Sequence, residues 1–182
     1  MPSGRTHTKI NLISLPVVLF MLFSYGLTNF DFLLTFAIGF LVGTTFLTPD
    51  LDTYSNAYNK WGFLRIFWYP YKKVMPHRSF FTHTIILGDV IRIAYMLIVF
   101  SPFLFLLNVI ALDGNLIEIA KKHEVEIVTF VMGIVVASTL HIIADKVNTR
   151  RKKMMRKRRN AEDKKPSQNT FWDGFSFNQT FV

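Results

Sequence analysis

Four long apolar stretches, separated by polar segments, dominate the pattern of this chain. They run from Ile10 to Tyr25, Phe32 to Leu47, Thr84 to Leu112, and Val125 to Ala144. A helix needs roughly 20 residues to cross a hydrocarbon core of about 30 Å, with about 17 as the practical minimum. The last two stretches exceed that length and the first two lie close to it. The pattern therefore predicts an all-α, four-span transmembrane helical bundle.

The first stretch has a second interpretation, because Arg5 and Lys9 precede it as basic residues precede the apolar core of a signal peptide. The SYGL segment at its end is a poor cleavage site, so we expect the stretch to be retained as a span. Pro16 in the first stretch and Pro102 in the third predict kinks, which packed membrane helices tolerate.

The positive charges fall almost entirely on one side of this arrangement. The chain carries a net charge of +9 and 21 Lys and Arg residues. If both termini share one side, that side receives all of them except Lys121, Lys122 and Arg92. Basic loops stay on the cytoplasmic side of a membrane. Both termini are therefore predicted to face the cytoplasm.

Seven histidine and aspartate side chains fall on this same predicted face, although the orientation follows from Lys and Arg alone. They are His7, Asp50, Asp52, His77, His83, His141 and Asp145. His123 lies on the opposite loop between Lys122 and Glu124, where we expect a solvated side chain. The shared location of the seven predicts a polar site at the cytoplasmic membrane surface.

The residue types of this group favour a transition metal. His141 and Asp145 are four residues apart, which places them on one face of a helix and suits shared coordination of one ion. The chain has no cysteine. Imidazole and carboxylate groups without thiols suit zinc, manganese, iron or nickel better than calcium. Seven candidates exceed the four ligands of one structural zinc, so we expect one or two ions with an open position for water.

Small residues predict which helices meet at this site. Gly133 and Ala137 precede His141 at intervals of four, and Gly39 and Gly43 repeat the spacing in the second stretch. Small residues at this spacing let membrane helices approach closely. We therefore expect the second and fourth spans to pack tightly and to bring the PDLD segment close to His141.

The PDLD segment, residues 49–52, leaves two arrangements open. Its proline disfavours a helical conformation at Thr48. In an extended chain Asp50 and Asp52 point to the same side, whereas in a helical turn they diverge. Asp52 is accordingly a candidate ligand, a proton acceptor, or a hydrogen-bond partner of a liganding histidine.

Several segments together resemble one family. THTKI near the start, PDLD, WGFLRIFWYPYKKVMPHRSFFTH and HIIAD are similar to a bacterial and cyanobacterial family of metal-binding integral membrane proteins of unknown function. The resemblance covers roughly residues 1–150. That family resembles the YdjM-like membrane-bound metal-dependent hydrolases. It is more distantly similar to the zinc-dependent phospholipases C and single-strand nucleases.

This resemblance implies a ligand set and a location. As ligands it implies His7, Asp50, His77, His83, His141 and Asp145, with Asp52 as a ligand or a base. We expect zinc as the first choice of metal, with manganese, iron or nickel as alternatives, and a bacterial plasma or thylakoid membrane as the location.

The favoured function is metal-dependent hydrolysis of a phosphoester or ester, with a lipid as one expected substrate. Activated water would attack, Asp50 or Asp52 would accept its proton, and Arg78 or Lys73 would steady the developing anion. For Arg78, contact with lipid headgroups is the plainer alternative. The alternative function is a non-catalytic metal-binding scaffold or assembly factor, in which protein fills every coordination position. Cation transport is less favoured because the candidates lie at helix ends.

Two further segments carry expectations. Residues 59–71, NKWGFLRIFWYPY, repeat aromatic residues and arginine at helical spacing, which is typical of a helix in the membrane interface. Asp89 and Arg92 lie three residues apart inside the third span, which predicts a mutual ion pair. An opening for substrate is the alternative interpretation of that pair.

The chain is expected to divide into a membrane-embedded metal-binding domain, residues 1–149, and a basic, partly flexible cytoplasmic tail, residues 150–182. The RRKKMMRKRR run in the tail favours contact with anionic lipid headgroups over nucleic acid. Phe175, Phe177 and Phe181 alternate near the C-terminus, which predicts an extended segment that docks on the bundle or on a protein partner.

Overall fold

The structure is a computed structural model that describes residues 4–52, 55–74 and 87–163, without the side chains of residues 4–7, 52 and 56. The described residues form helices and turns and no strand, which confirms the all-α prediction. The helices are α1 (Gly4–Ser24), α2 (Phe30–Thr45), α3 (Asn56–Lys60), α4 (Tyr69–Val74), α5 (Leu87–Ile110), α6 (Leu116–Lys122) and α7 (Glu124–Glu162). Two 3₁₀ segments, Pro49–Asp52 and Gly62–Trp68, lie between them.

Three of the four predicted spans are long and apolar enough to cross a membrane. They comprise Phe30–Leu51, Leu87–Ile110 and the apolar part of Glu124–Glu162. The first stretch forms only a shorter apolar helix, Thr8–Ser24. Arg5 and Lys9 belong to the first turns of α1 and so shorten its apolar part. Its role as a fourth span stays a prediction.

Local signals fix the turn between α1 and α2. Gly26 adopts a positive φ of 89° just after α1, a conformation that glycine reaches without strain. The side chain of Asn29 then accepts hydrogen bonds from the backbone N–H groups of Asp31, at 2.8 Å, and Phe32, at 3.2 Å. This N-cap satisfies donors that have no partner within the helix.

Helices α2 and α7 pack with their backbones in close contact. A methyl group added at Gly43 would lie 2.9 Å from the Cα atom of Ile134, and one added at Gly133 would lie 2.7 Å from the backbone nitrogen of Phe40. A methyl group added at Gly39 would lie 2.8 Å from the carbonyl carbon of Phe130. These contacts leave no room for a side chain and confirm that the second and fourth apolar stretches pack tightly.

The segment between α2 and α5 contributes to the core. Trp68 is 1% exposed and packs against Tyr71 and Tyr95, with ring centroids 5.5 Å away in each case. The predicted interfacial helix is a 3₁₀ segment flanked by α3 and α4. Its exposed apolar side chains, Phe63 and Ile66, are three residues apart, which is the repeat of a 3₁₀ helix.

The chain divides into two compact units, Met1–Asp145 and Lys146–Val182. The described part of the second unit, residues 146–163, is helical up to Glu162 and carries solvent-exposed basic side chains. The predicted boundary after residue 149 stays a prediction. The aromatic positions Phe175, Phe177 and Phe181 lie outside the described residues.

Candidate metal centre

Helix α7 provides two neighbouring donors. His141 Nε2 lies 3.6 Å from Asp145 Oδ2, as the four-residue spacing on one helix face predicts. His141 is buried because it continues the line of Gly133 and Ala137, along which α7 packs against α2. The side chain of Asp145, one turn later, is 30% exposed. This face of α7 thus carries small packing residues up to Ala137 and polar donor residues from His141 onwards.

The third donor comes from the turn that follows α2. Pro49–Asp52 is a 3₁₀ turn. Of the two arrangements that the sequence left open, extended or helical, the backbone therefore adopts the helical one. Leu51 is fully buried in the core, and its N–H donates to the carbonyl of Thr48 at 3.2 Å. Leu51 therefore anchors the turn, and Asp50 Oδ2 lies 3.4 Å from His141 Nε2.

These three groups fit a divalent transition metal. One ligand atom each from Asp50, His141 and Asp145 lies within 4.8 Å of the others. In a tetrahedral site with bonds of 2.0–2.1 Å, neighbouring donor atoms are about 3.4 Å apart. The two distances from His141, 3.4 and 3.6 Å, are close to that value. The donor set of one imidazole and two carboxylates is one that zinc, manganese and iron accept.

The site is buried on one side and open on the other. The side chain of His141 is only 5% exposed, whereas those of Asp50 and Asp145 are 27% and 30% exposed. Solvent therefore reaches the carboxylates. A metal ion held by these groups would therefore have the imidazole on its buried side and water within reach on its exposed side.

Sequence reasoning missed Asn11, which ties α1 to the site. Its side-chain amide donates to Thr44 Oγ1 at 3.2 Å and to the carbonyl of Ala137 at 3.0 Å, and Asn11 is buried. Ala137 is one turn before His141 on α7. The sequence did contain a signal, because Asn11 is an amide side chain inside an apolar stretch and lies four residues after His7.

The structure brings together three of the seven predicted ligands. His7 lies in α1, four residues before Asn11, and Asp52 ends the 3₁₀ turn, but their side chains are not described. His77, Arg78 and His83 lie outside the described residues. Lys73 is described and is exposed at the end of α4. The ligand roles of all seven residues, and the catalytic roles of Asp52 and Arg78, stay predictions.

Comparison with known proteins identifies two similarities. A family model described as "Uncharacterized metal-binding protein (DUF2227)" matches residues 2–155. An uncharacterized protein of Aquifex aeolicus (strain VF5) is 32% identical over 144 residues, which cover 65% of this chain and 93% of the relative. No solved structure matches. The matches support the predicted metal-binding family but do not extend to the YdjM-like hydrolases or the phospholipases C.

Proposed function

This chain belongs to the family of uncharacterized metal-binding proteins, and we propose that its Asp50, His141 and Asp145 hold a divalent transition-metal ion, zinc being the first choice. The observation that carries the proposal is the meeting of these donors within 4.8 Å at the end of a tightly packed helix pair. Two carboxylates beside a buried imidazole favour a divalent cation, because its charge offsets both carboxylates.

The reaction that we propose is hydrolysis of a phosphoester or ester. The partial exposure of Asp50 and Asp145 supports it, because solvent has access to the centre. A bound metal would polarise the substrate and activate water.

The residues of the chain have distinct parts in this reaction. His141 is held by the packing of α2 and α7, so it orients the centre. Asp52, which is not among the three proposed ligands, accepts the proton of the attacking water. Arg78 or Lys73 steadies the negative charge that develops on the substrate. His7, His77 and His83 are the remaining predicted ligands and are enough to complete the shell or to hold a second ion.

We further propose that the chain is an integral protein of a bacterial plasma or thylakoid membrane, with four spans and both termini cytoplasmic. Three helices of sufficient length and apolarity support this placement. The metal centre would then lie at the inner surface, where lipid substrates and water are both available. The basic second unit would bind anionic headgroups, and the C-terminal aromatic segment would bind a protein partner.

The test is metal-dependent activity of the purified protein in detergent. We would strip it with a chelator, reload it with zinc or manganese, and assay phosphomonoesters, phosphodiesters, phospholipids and carboxylic esters. We expect one class to be cleaved only after reloading. His141→Gln and Asp145→Asn should abolish cleavage, and His123→Gln, which changes an exposed histidine elsewhere, should not.

The non-catalytic scaffold is the competing outcome. If X-ray absorption shows four protein ligands around the ion and no substrate class is cleaved, the reaction is wrong and the metal holds the α2 turn to α7. If the reloaded protein retains no metal, the metal-binding proposal itself is wrong.

A further inference from the structure

A buried polar cluster joins the first turns of α5 to α7. Asp89, Arg92 and Ser138 are each 1% exposed. Arg92 Nη2 donates to Asp89 Oδ1, which confirms the predicted ion pair, and it also lies 3.4 Å from Ser138 Oγ. Both partners of the guanidinium therefore use the same nitrogen atom.

The rest of this guanidinium has no hydrogen-bond partner within the part of the chain that the structure describes. Its Nε and Nη1 atoms are buried and unpartnered, and so is Asp89 Oδ2. A guanidinium has five N–H donors, and these two nitrogens carry three of them. A buried charge is costly unless its hydrogen bonds are satisfied. An ion pair that served packing alone would use the fork of the guanidinium, whereas this pair leaves most of the fork unused.

The cluster lies next to the metal centre along α7. Ser138 precedes His141 by three residues, so the two share a face and are separated by about one turn, or about 4.5 Å, along the helix axis. Both side chains are buried. A ligand group held by Arg92 beside Ser138 would therefore lie on the same face of α7 as His141, about one helical turn before it.

We propose that Arg92 binds a phosphate group of the substrate. A planar guanidinium with free Nε and Nη1 donors binds phosphate through paired, charge-assisted hydrogen bonds. Asp89 holds the guanidinium in place and balances its charge, so the metal provides the additional positive charge that the phosphate requires. The inference rests on the proposed function and narrows its substrate class from esters in general to phosphoesters.

The test is calorimetric titration of inorganic phosphate into the full-length, zinc-loaded protein in detergent, with zinc content measured in the same sample. Removing Arg92 alone would leave Asp89 buried and uncompensated, so the variant is the neutral double substitution Asp89→Asn/Arg92→Gln. Arg65→Gln, an exposed arginine of the same unit, is the control. We expect phosphate affinity to fall at least about tenfold in the double variant and to remain unchanged in the control.

Arg92→Lys is the second variant, because it keeps the charge and removes the fork. We expect weaker phosphate binding with full zinc occupancy. A short-chain phosphatidic acid is titrated in parallel with inorganic phosphate. Tighter binding of phosphatidic acid indicates a lipid phosphate as the ligand, and tighter binding of inorganic phosphate indicates a soluble one. If wild type and both variants bind one of the two probes with equal affinity, Arg92 does not contact that probe.

The inference is overturned if zinc-loaded wild type binds neither probe, or if both variants bind as tightly as wild type at equal zinc occupancy. In the second case the phosphate contacts the metal alone. Failure of the proposed metal site is distinguishable, because it appears as absence of zinc from the wild type. Failure of the proposed reaction appears separately, as absence of cleavage by the zinc-loaded protein.

Discussion

The imidazole of His141 is the most buried of the three donors in the candidate metal centre, and the carboxylates of Asp50 and Asp145 both lie close to it. Its Nε2 atom is 3.4 Å from Asp50 and 3.6 Å from Asp145. Neither carboxylate is held in a tightly packed environment, because each side chain is more than a quarter exposed. We therefore expect the loss of the imidazole to cost more metal affinity than the loss of either carboxylate.

His141→Ala tests this ranking. It removes the central donor, and we expect the metal affinity to fall at least about 100-fold. Mutation of a residue that only hydrogen-bonds to a metal ligand already lowers metal affinity about 10–100-fold. Asp145→Asn should lower it less. Equilibrium dialysis with elemental analysis measures both, with His123→Ala as the control. Equal affinity of wild type and His141→Ala would place the metal elsewhere.

Asn11 has a structural effect that can be measured separately. Asn11→Leu keeps the volume and removes two hydrogen bonds, to Thr44 and to the carbonyl of Ala137. We expect the free energy of unfolding to fall by about 1–2 kcal/mol. Metal affinity should also fall, because Asn11 fixes the helix that carries His7. Ser24→Ala removes a hydrogen bond made only within α1 and is the matched control in detergent unfolding experiments.

At the scale of elements, the contact between α2 and α7 determines the position of the PDLD turn. Gly43→Ala introduces a methyl group 2.9 Å from Ile134 Cα, so the two helices must separate. We expect a loss of about 1–3 kcal/mol in unfolding free energy and weaker metal binding, because Asp50 moves away from His141. Ile38→Ala changes an exposed side chain of α2 and should leave metal binding unchanged. A stable Gly43→Ala protein with normal metal affinity would contradict this coupling.

Elements with a regular period were predictable from the sequence, and elements shaped by tertiary contacts were not. The pairs His141 with Asp145 and Asp89 with Arg92 follow from helical spacing alone, and so does the small-residue contact between α2 and α7. The burial of Trp68 does not, because aromatic residues with arginine are equally typical of a membrane interface. Likewise, the PDLD segment left two backbone arrangements open, because the burial of Leu51 that accompanies the observed turn depends on tertiary contacts.

At the scale of the whole molecule, the orientation of the spans can be tested because the chain has no cysteine. Single cysteines introduced at Thr149 and at Lys121 should be labelled from opposite sides of the membrane. A membrane-impermeant maleimide applied to intact cells should label only Lys121→Cys, since Thr149 is predicted to be cytoplasmic. Both positions occur at exposed sites of helices. Labelling of both variants, or of Thr149→Cys alone, would contradict the predicted topology.

The central claim is that separated parts of the chain hold one metal ion between the turn after α2 and the end of the apolar part of α7. Anomalous diffraction at the absorption edge of the bound metal tests it most directly. We predict a peak at about 2.0–2.2 Å from donor atoms of Asp50, His141 and Asp145. A metal-loaded crystal in which the peak lies away from these three residues would contradict the account.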